Sequence, residues 1–169
     1  MPKPVPGTYP DYFDRYISQV NEDDSITALE NQQQLVDSFF DAIPESKEMY
    51  AYAEGKWTLK ELLQHIIDTE RIFIFRALCF ARHELQSLPG FDENNYTANS
   101  NANAREWQSL CEEMKAVRKT TIQLFESFTN DMLEFLGNAN NKPTSANTMG
   151  FIISGHFTHH VKIITERYL

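Results

Sequence analysis

The sequence predicts an all-α protein: a four-helix bundle with short extra helices. Three observations carry this. Apolar residues in the long segments recur at the 3.6-residue period, no stretch alternates with period two over a useful length, and start or stop residues bracket the periodic segments.

Pro2, Pro4, Pro6 and Pro10 make the first ten residues an extended lead-in. Asp11 to Val20 places apolar residues at helical spacing and reads as a short helix. Asp23, Asp24 and Ser25 are cap-type residues ahead of a helix from about Ile26 to Ile43, which carries Leu29, Leu35, Val36, Phe39 and Phe40 and stops at Pro44. Thr58 and Glu61 match a capping box, with Thr58 as N-cap and Glu61 reaching back. The helix they open should run to about Arg82, its apolar face built from Leu59, Leu62, Leu63, Ile66, Phe73, Ala77 and Phe80. Leu88 to Ala102, rich in Pro, Gly and Asn, reads as loop. A third long helix follows from about Ala104 to Phe128, then a helical turn from Asp131 to Leu136 ended by Gly137. Asn138 to Asn147 reads as a polar loop, and the last helix runs from about Thr148 to Tyr168. The connections on either side of the third helix exceed the roughly 2–8 residues usual between neighbouring bundle helices, so at least one crossover is expected.

Composition narrows the function classes. A chain of 169 residues with 41% hydrophobic content is large enough for one domain with its own core. We read residues 1–169 as that domain, with 1–24 an N-terminal extension packing on the bundle. The formal net charge of −9 disfavours nucleic acid, whose phosphates need basic patches, and anionic membrane surfaces. No apolar run reaches the roughly 18 residues of a spanning helix, and the Pro-rich start lacks the apolar core of a signal peptide. Cys79 and Cys111 sit in helical patterns without a CxxC, which fits free thiols in a reducing cytoplasm.

The chemistry concentrates in histidine. His156 and His160 are four residues apart, one above the other on a helix face. With His156 set at zero, helical geometry puts Ile152 at about −40°, Ile163 at about −20°, Met149 at about +20° and His160 at about +40°. Both imidazoles thus lie in the middle of the apolar stripe, and His159, at about −60°, lies on its edge. Two rings there are costly unless both nitrogens are satisfied, and a stacked pair does this best by sharing a cation. His65 lies beside the apolar face of its own helix, on a ridge with Glu61, Thr69, Ile72 and Arg76. Three histidines from two helices, with one open position, describe a catalytic-type transition-metal site near the bundle's edge. Position 157 is Phe157, so there is no HExxH and no zinc-protease mechanism; paired Glu-x-x-His motifs of ferritin-like di-iron sites are also missing. Around the site, Asp68 and Glu61 are candidates to orient a ligand, Arg76 to attract a substrate carboxylate or pair with a neighbouring Glu, and His159, Asp92 and Tyr96 to be catalytic or to form the pocket lip. Trp57 and Trp107 read as core.

The segment Trp57-Thr58-Leu59-Lys60-Glu61-Leu62-Leu63-Gln64-His65 resembles the opening W-(S/T)-x-x-x-x-x-x-H of the DinB-like (DinB/YfiT-type) superfamily, and Gly155-His156-Phe157-Thr158-His159-His160 resembles its closing H-x-x-H-H. Leu88 to Tyr96 and Val117-Arg118 fit the same pattern, so the resemblance covers about residues 25–169. It implies a four-helix bundle with up-down-down-up crossover topology and a divalent metal, nickel or zinc, on three histidines that match His65, His156 and His160. It further implies a metal-dependent hydrolase or a thiol S-transferase using a low-molecular-weight thiol as co-substrate, acting on a small molecule, and a homodimer. Two other classes compete: a non-catalytic dimeric helical module in which the metal is structural, and a metal sensor or carrier.

Overall fold

The computed structural model describes residues 1–169. The chain forms α1 (Asp14–Ile17), α2 (Ser25–Asn31), α3 (Gln33–Ser38), α4 (Leu59–Ala81), α5 (Glu93–Asn99), α6 (Trp107–Glu126), α7 (Asn130–Glu134), a hairpin of β1 (Leu136–Ala139) and β2 (Lys142–Ser145), and α8 (Ala146–Arg167). The four bundle positions are held by α2 with α3, by α4, by α6 and by α8.

Contacts between named residues give the helix directions. Ser25 meets Asn147 and Gln32 meets Ser154, so α2 and α8 run parallel. Tyr168 Oη donates to the Trp57 carbonyl while His65 meets His156, so α4 and α8 run antiparallel. Arg71 pairs with Glu113 and Glu70 with Arg118, whereas Lys60 reaches Arg105 near the start of α6; α4 and α6 are therefore parallel. This is the up-down-down-up order, and the parallel α4–α6 step requires the long crossover that carries α5.

Local signals explain the helix ends. Asp24 caps α2, its carboxylate accepting from the Ile26 and Thr27 amides. The capping box at Thr58 is complete, with Thr58 N–H donating to Glu61 Oε2 at 2.8 Å and Glu61 N–H donating to Thr58 Oγ1 at 3.2 Å. Ser145 caps α8 through the Thr148 amide.

Three expectations need correction. The single helix expected over Ile26–Ile43 is interrupted at Gln32 and ends in a 3-10 turn at Phe40–Ala42, and Leu35 faces solvent. The loop expected over Leu88–Ala102 contains α5, started by Asp92. The polar loop expected after Gly137 is an antiparallel hairpin, registered Leu136↔Ser145 through Ala139↔Lys142. Its two-residue turn is Asn140-Asn141, with φ of 53° and 59°, the left-handed backbone that a tight hairpin demands and Asn tolerates. The hairpin seats at the C-terminal end of α4, where Gly137 lies so close to the Phe80 ring that a Cβ would overlap it.

The core has two apolar clusters. One joins the N-terminal segment, α2, the second half of α4 and the first part of α8; the other joins α3, the first half of α4, α6 and the end of α8. Along α8, Ile152 and Ile153 belong to the first and Phe157 to the second, and His156 lies between them. Along α4, Thr69 and Glu70 occupy the same gap, between Ile67 and Phe73. A polar layer thus crosses the bundle between the two clusters.

Candidate metal centre

Helical phase brings the three histidines together. His65 comes from α4, and His156 and His160 from successive turns of α8; all three are buried. His156 Nε2 lies 3.2 Å from His65 Nε2 and 3.0 Å from His160 Nε2. The ligand-capable atoms of the three all fall within 4.8 Å of one another. Tetrahedral coordination with metal–nitrogen bonds near 2.0–2.1 Å spaces the nitrogens by about 3.3 Å, and the two separations from His156 Nε2 sit within a few tenths of an ångström of that.

Protons alone satisfy this cluster poorly. Neutral imidazole carries one N–H, so His156 Nε2 can donate to one neighbour or accept from one, not pair ideally with two. Protonation is no remedy: burial lowers the His65 pKa to about 4, and burial followed by the neighbouring histidines pushes His156 and His160 well below the ordinary value of 6.5. At neutral pH all three therefore present lone pairs, the form a metal binds. Thr69 Oγ1 stands 3.4 Å from His65 Nδ1, so the Nδ1 edge of the ring meets the hydroxyl while Nε2 faces the other histidines. His160 Nδ1 is buried without a partner.

A cavity of about 440 Å³ opens onto the cluster. Tyr16 of α1 forms one wall, its ring 5.2 Å from His156 and 5.3 Å from His159. The close seating of α1 depends on Gly155, because a Cβ there would overlap the Tyr16 carbonyl. Trp57 lies 4.8 Å from the His65 ring, and Phe73 6.3 Å from His156. Phe91 and the hairpin residues Asn140, Lys142 and Thr144 also line it. A second hollow of about 240 Å³, lined by Tyr52, Leu62, Ile163 and Tyr168, shares Trp57 and His160 with the first.

The other candidates are placed as follows. His159 is half-buried and lines the cavity. Asp92 does not line it; its Oδ1 accepts from the Asn94 and Asn95 amides as the N-cap of α5. Tyr96 is exposed, packs its ring 5.4 Å from Phe91, and also lies outside the cavity wall. Glu61 is occupied by the capping box and Asn103, and Asp68 by Gln64, so neither orients a histidine. Arg76 lines the cavity and has no carboxylate partner. Trp107 is core, but Trp57 is cavity wall. Tyr16, Arg15 and Thr144 escape the sequence reading, and Trp57 enters it only as core and as the first residue of the motif that ends at His65; for Tyr16 the available signal is Gly155, a small residue on a buried face beside His156.

Three buried histidines converge between α4 and α8 of a four-helix bundle, beneath an open cavity, and form a candidate site for a divalent metal. A sequence profile of the DinB superfamily matches residues 28–164, and the chain belongs to that superfamily. Among solved structures, the chain is similar to YfiT from Bacillus subtilis, described as a probable metal-dependent hydrolase with an unusual four-helix bundle topology. The match has a TM-score of 0.73 at 15% identity and covers 97% of this chain and 90% of the other, which establishes a shared fold. No curated protein matches the sequence.

Proposed function

We propose that this protein is a metal-dependent enzyme acting on a small molecule, with His65, His156 and His160 as the ligands of a divalent ion, nickel or zinc. The observation that carries the reading is the convergence of three buried, neutral Nε2 atoms at 3.0 and 3.2 Å. A divalent ion on three uncharged ligands keeps its full charge and would supply the acidity that makes water or a thiol nucleophilic near neutral pH. The chain's own part is to orient the His65 ring through Thr69, to exclude bulk water with Tyr16, Trp57 and Phe73, and to leave the cavity side of the cluster open. Hydrolysis or S-transfer from a low-molecular-weight thiol can use the same arrangement. His159, which lines the cavity with its ring centroid 5.1 Å from that of His160, is a further group able to accept or give a proton.

Elemental analysis of protein made without an affinity tag tests the reading, followed by a screen of esters, amides and electrophiles with and without added thiol. One divalent ion per chain is expected, lost in His160→Ala. Metal-dependent turnover that requires thiol selects the transferase, and equal turnover without thiol selects hydrolysis. If metal removal lowers the melting temperature while no substrate turns over, the metal is structural. The homodimer and the cytoplasmic setting belong to the same proposal; light scattering at assay concentration tests the first.

A further inference from the structure

The chain carries a net charge of −9, yet the cavity above the histidines is lined by Arg15, Arg76 and Lys142 against one carboxylate, Glu93. None of the three cations forms an ion pair within the chain. Arg76 is the most telling. It is buried to 6% exposure, and its one hydrogen bond runs from Nη2 to the Pro89 carbonyl at 2.8 Å. Its guanidinium lies near the rings of Phe73 and Phe91, 5.7 and 5.8 Å from their centroids. A buried Arg almost always has an anionic partner, and burial lowers the pKa of this one. Phe73 in turn touches His156, so the guanidinium is one ring away from the cluster. The Arg15 guanidinium, from the same lining, lies 4.7 Å from the ring centroids of both Tyr12 and Tyr16. Thr144 supplies an independent sign: it is 2% exposed, lines the cavity, and its hydroxyl has no partner.

We propose that the cavity binds a small organic acid, its carboxylate held by Arg76 with Arg15 and the Thr144 hydroxyl, and the remainder directed at the histidine cluster. Calling this acid the substrate rests on the enzyme reading above; the anion site itself does not. The planar guanidinium fork suits a carboxylate, and the volume suits a small molecule. The positive field of the three cations, added to that of a divalent ion, attracts an anion into an otherwise acidic protein.

Ligand-observed NMR titration of the full chain tests this. Acetate, succinate and benzoate are each compared with the neutral amide, on protein as purified and on chelated protein, with metal content recorded for every sample. At least one acid should bind while its amide does not, and Arg76→Gln should weaken it about tenfold or more. Arg76→Lys should lie between the two, and Arg15→Gln, a surface change that spares the core, should cost several-fold. Equal binding of acid and amide, equal binding by wild type and both Arg variants, failure of all three acids, or preference for inorganic phosphate would each overturn the proposal. Arg76-dependent binding by a chain that takes up no metal keeps the anion site and removes the enzyme reading. Metal on the histidines with no effect of Arg76 does the reverse.

Discussion

Arg118 and Glu70 meet through two parallel hydrogen bonds, Nε to Oε1 and Nη2 to Oε2, each 2.9 Å, with both side chains sealed from solvent. Arg118 Nη1 donates to Gln32 Oε1 at 3.1 Å, Thr121 Oγ1 lies 2.7 Å from Glu70 Oε1, and the Phe157 ring lies 5.0 Å from the guanidinium. The pair ties α2, α4 and α6 together next to the histidines.

Removing one member should hurt more than removing both. Arg118→Met leaves Glu70 as an uncompensated buried charge, at about 3–5 kcal/mol. Glu70→Leu combined with Arg118→Met should recover most of that loss. Urea denaturation of the two single variants and the double variant measures the coupling; additive losses would mean the pair is not the unit described.

The chelated protein should lose stability on mild acidification. Folded His65 binds a proton only near pH 4, whereas the unfolded chain binds it near 6.5. Between those values the unfolded state holds the extra proton, so stability is flat above 6.5 and falls as pH drops toward 4. The displacement corresponds to about 3 kcal/mol, and His156 and His160 act in the same direction. Denaturation midpoints at pH 7, 6, 5 and 4 follow this, and His65→Gln should flatten the profile. A midpoint unchanged from pH 7 to 5 in wild type would contradict it.

Gly155→Ala should loosen the N-terminal segment. The new Cβ meets the Tyr16 backbone, which cannot rotate away as a side chain would. A cost of about 1–3 kcal/mol is expected, with faster hydrogen exchange in α1 than in α6. Uniform exchange across the chain would show that α1 does not depend on this contact.

Cys111 should be chemically silent. It is 1% exposed, and burial, with Asp41 adding to it, pushes its thiol up to about 12. Cys79 is half-buried and also raised, by burial and then Glu84. A thiol reagent at pH 8 should modify Cys79 slowly and Cys111 only in denaturant, as counted by mass spectrometry. Native labelling at Cys111 would show that α6 opens locally.

Much of the site was readable before any coordinates because it obeys helical phase. His156 and His160 fall among Ile152 and Ile163 on one stripe, and Thr58 with Glu61 sets the register that aims His65. The cavity around them was not readable in the same way. Tyr16, Trp57 and Thr144 become neighbours only through packing between segments far apart in sequence. The hairpin carries Gly, Asn, Lys and Pro where strands favour β-branched residues, so only the Asn140-Asn141 turn announced it. Asp92 shows the converse: an acidic residue in a polar stretch read as pocket lip is a helix cap, a role the same composition serves. Arg118 and Glu70 look like ordinary surface charges in one dimension, and their partnership exists only because α4 and α6 run side by side in the same direction.

The ring of His160 borders two hollows, and Trp57 stands between them. A molecule lodged in the larger one therefore leaves the smaller one, lined by Tyr52 and Tyr168, unfilled beside the same ring. Two small molecules lodged side by side would share that wall, and an inhibitor shaped for one room would leave the other vacant.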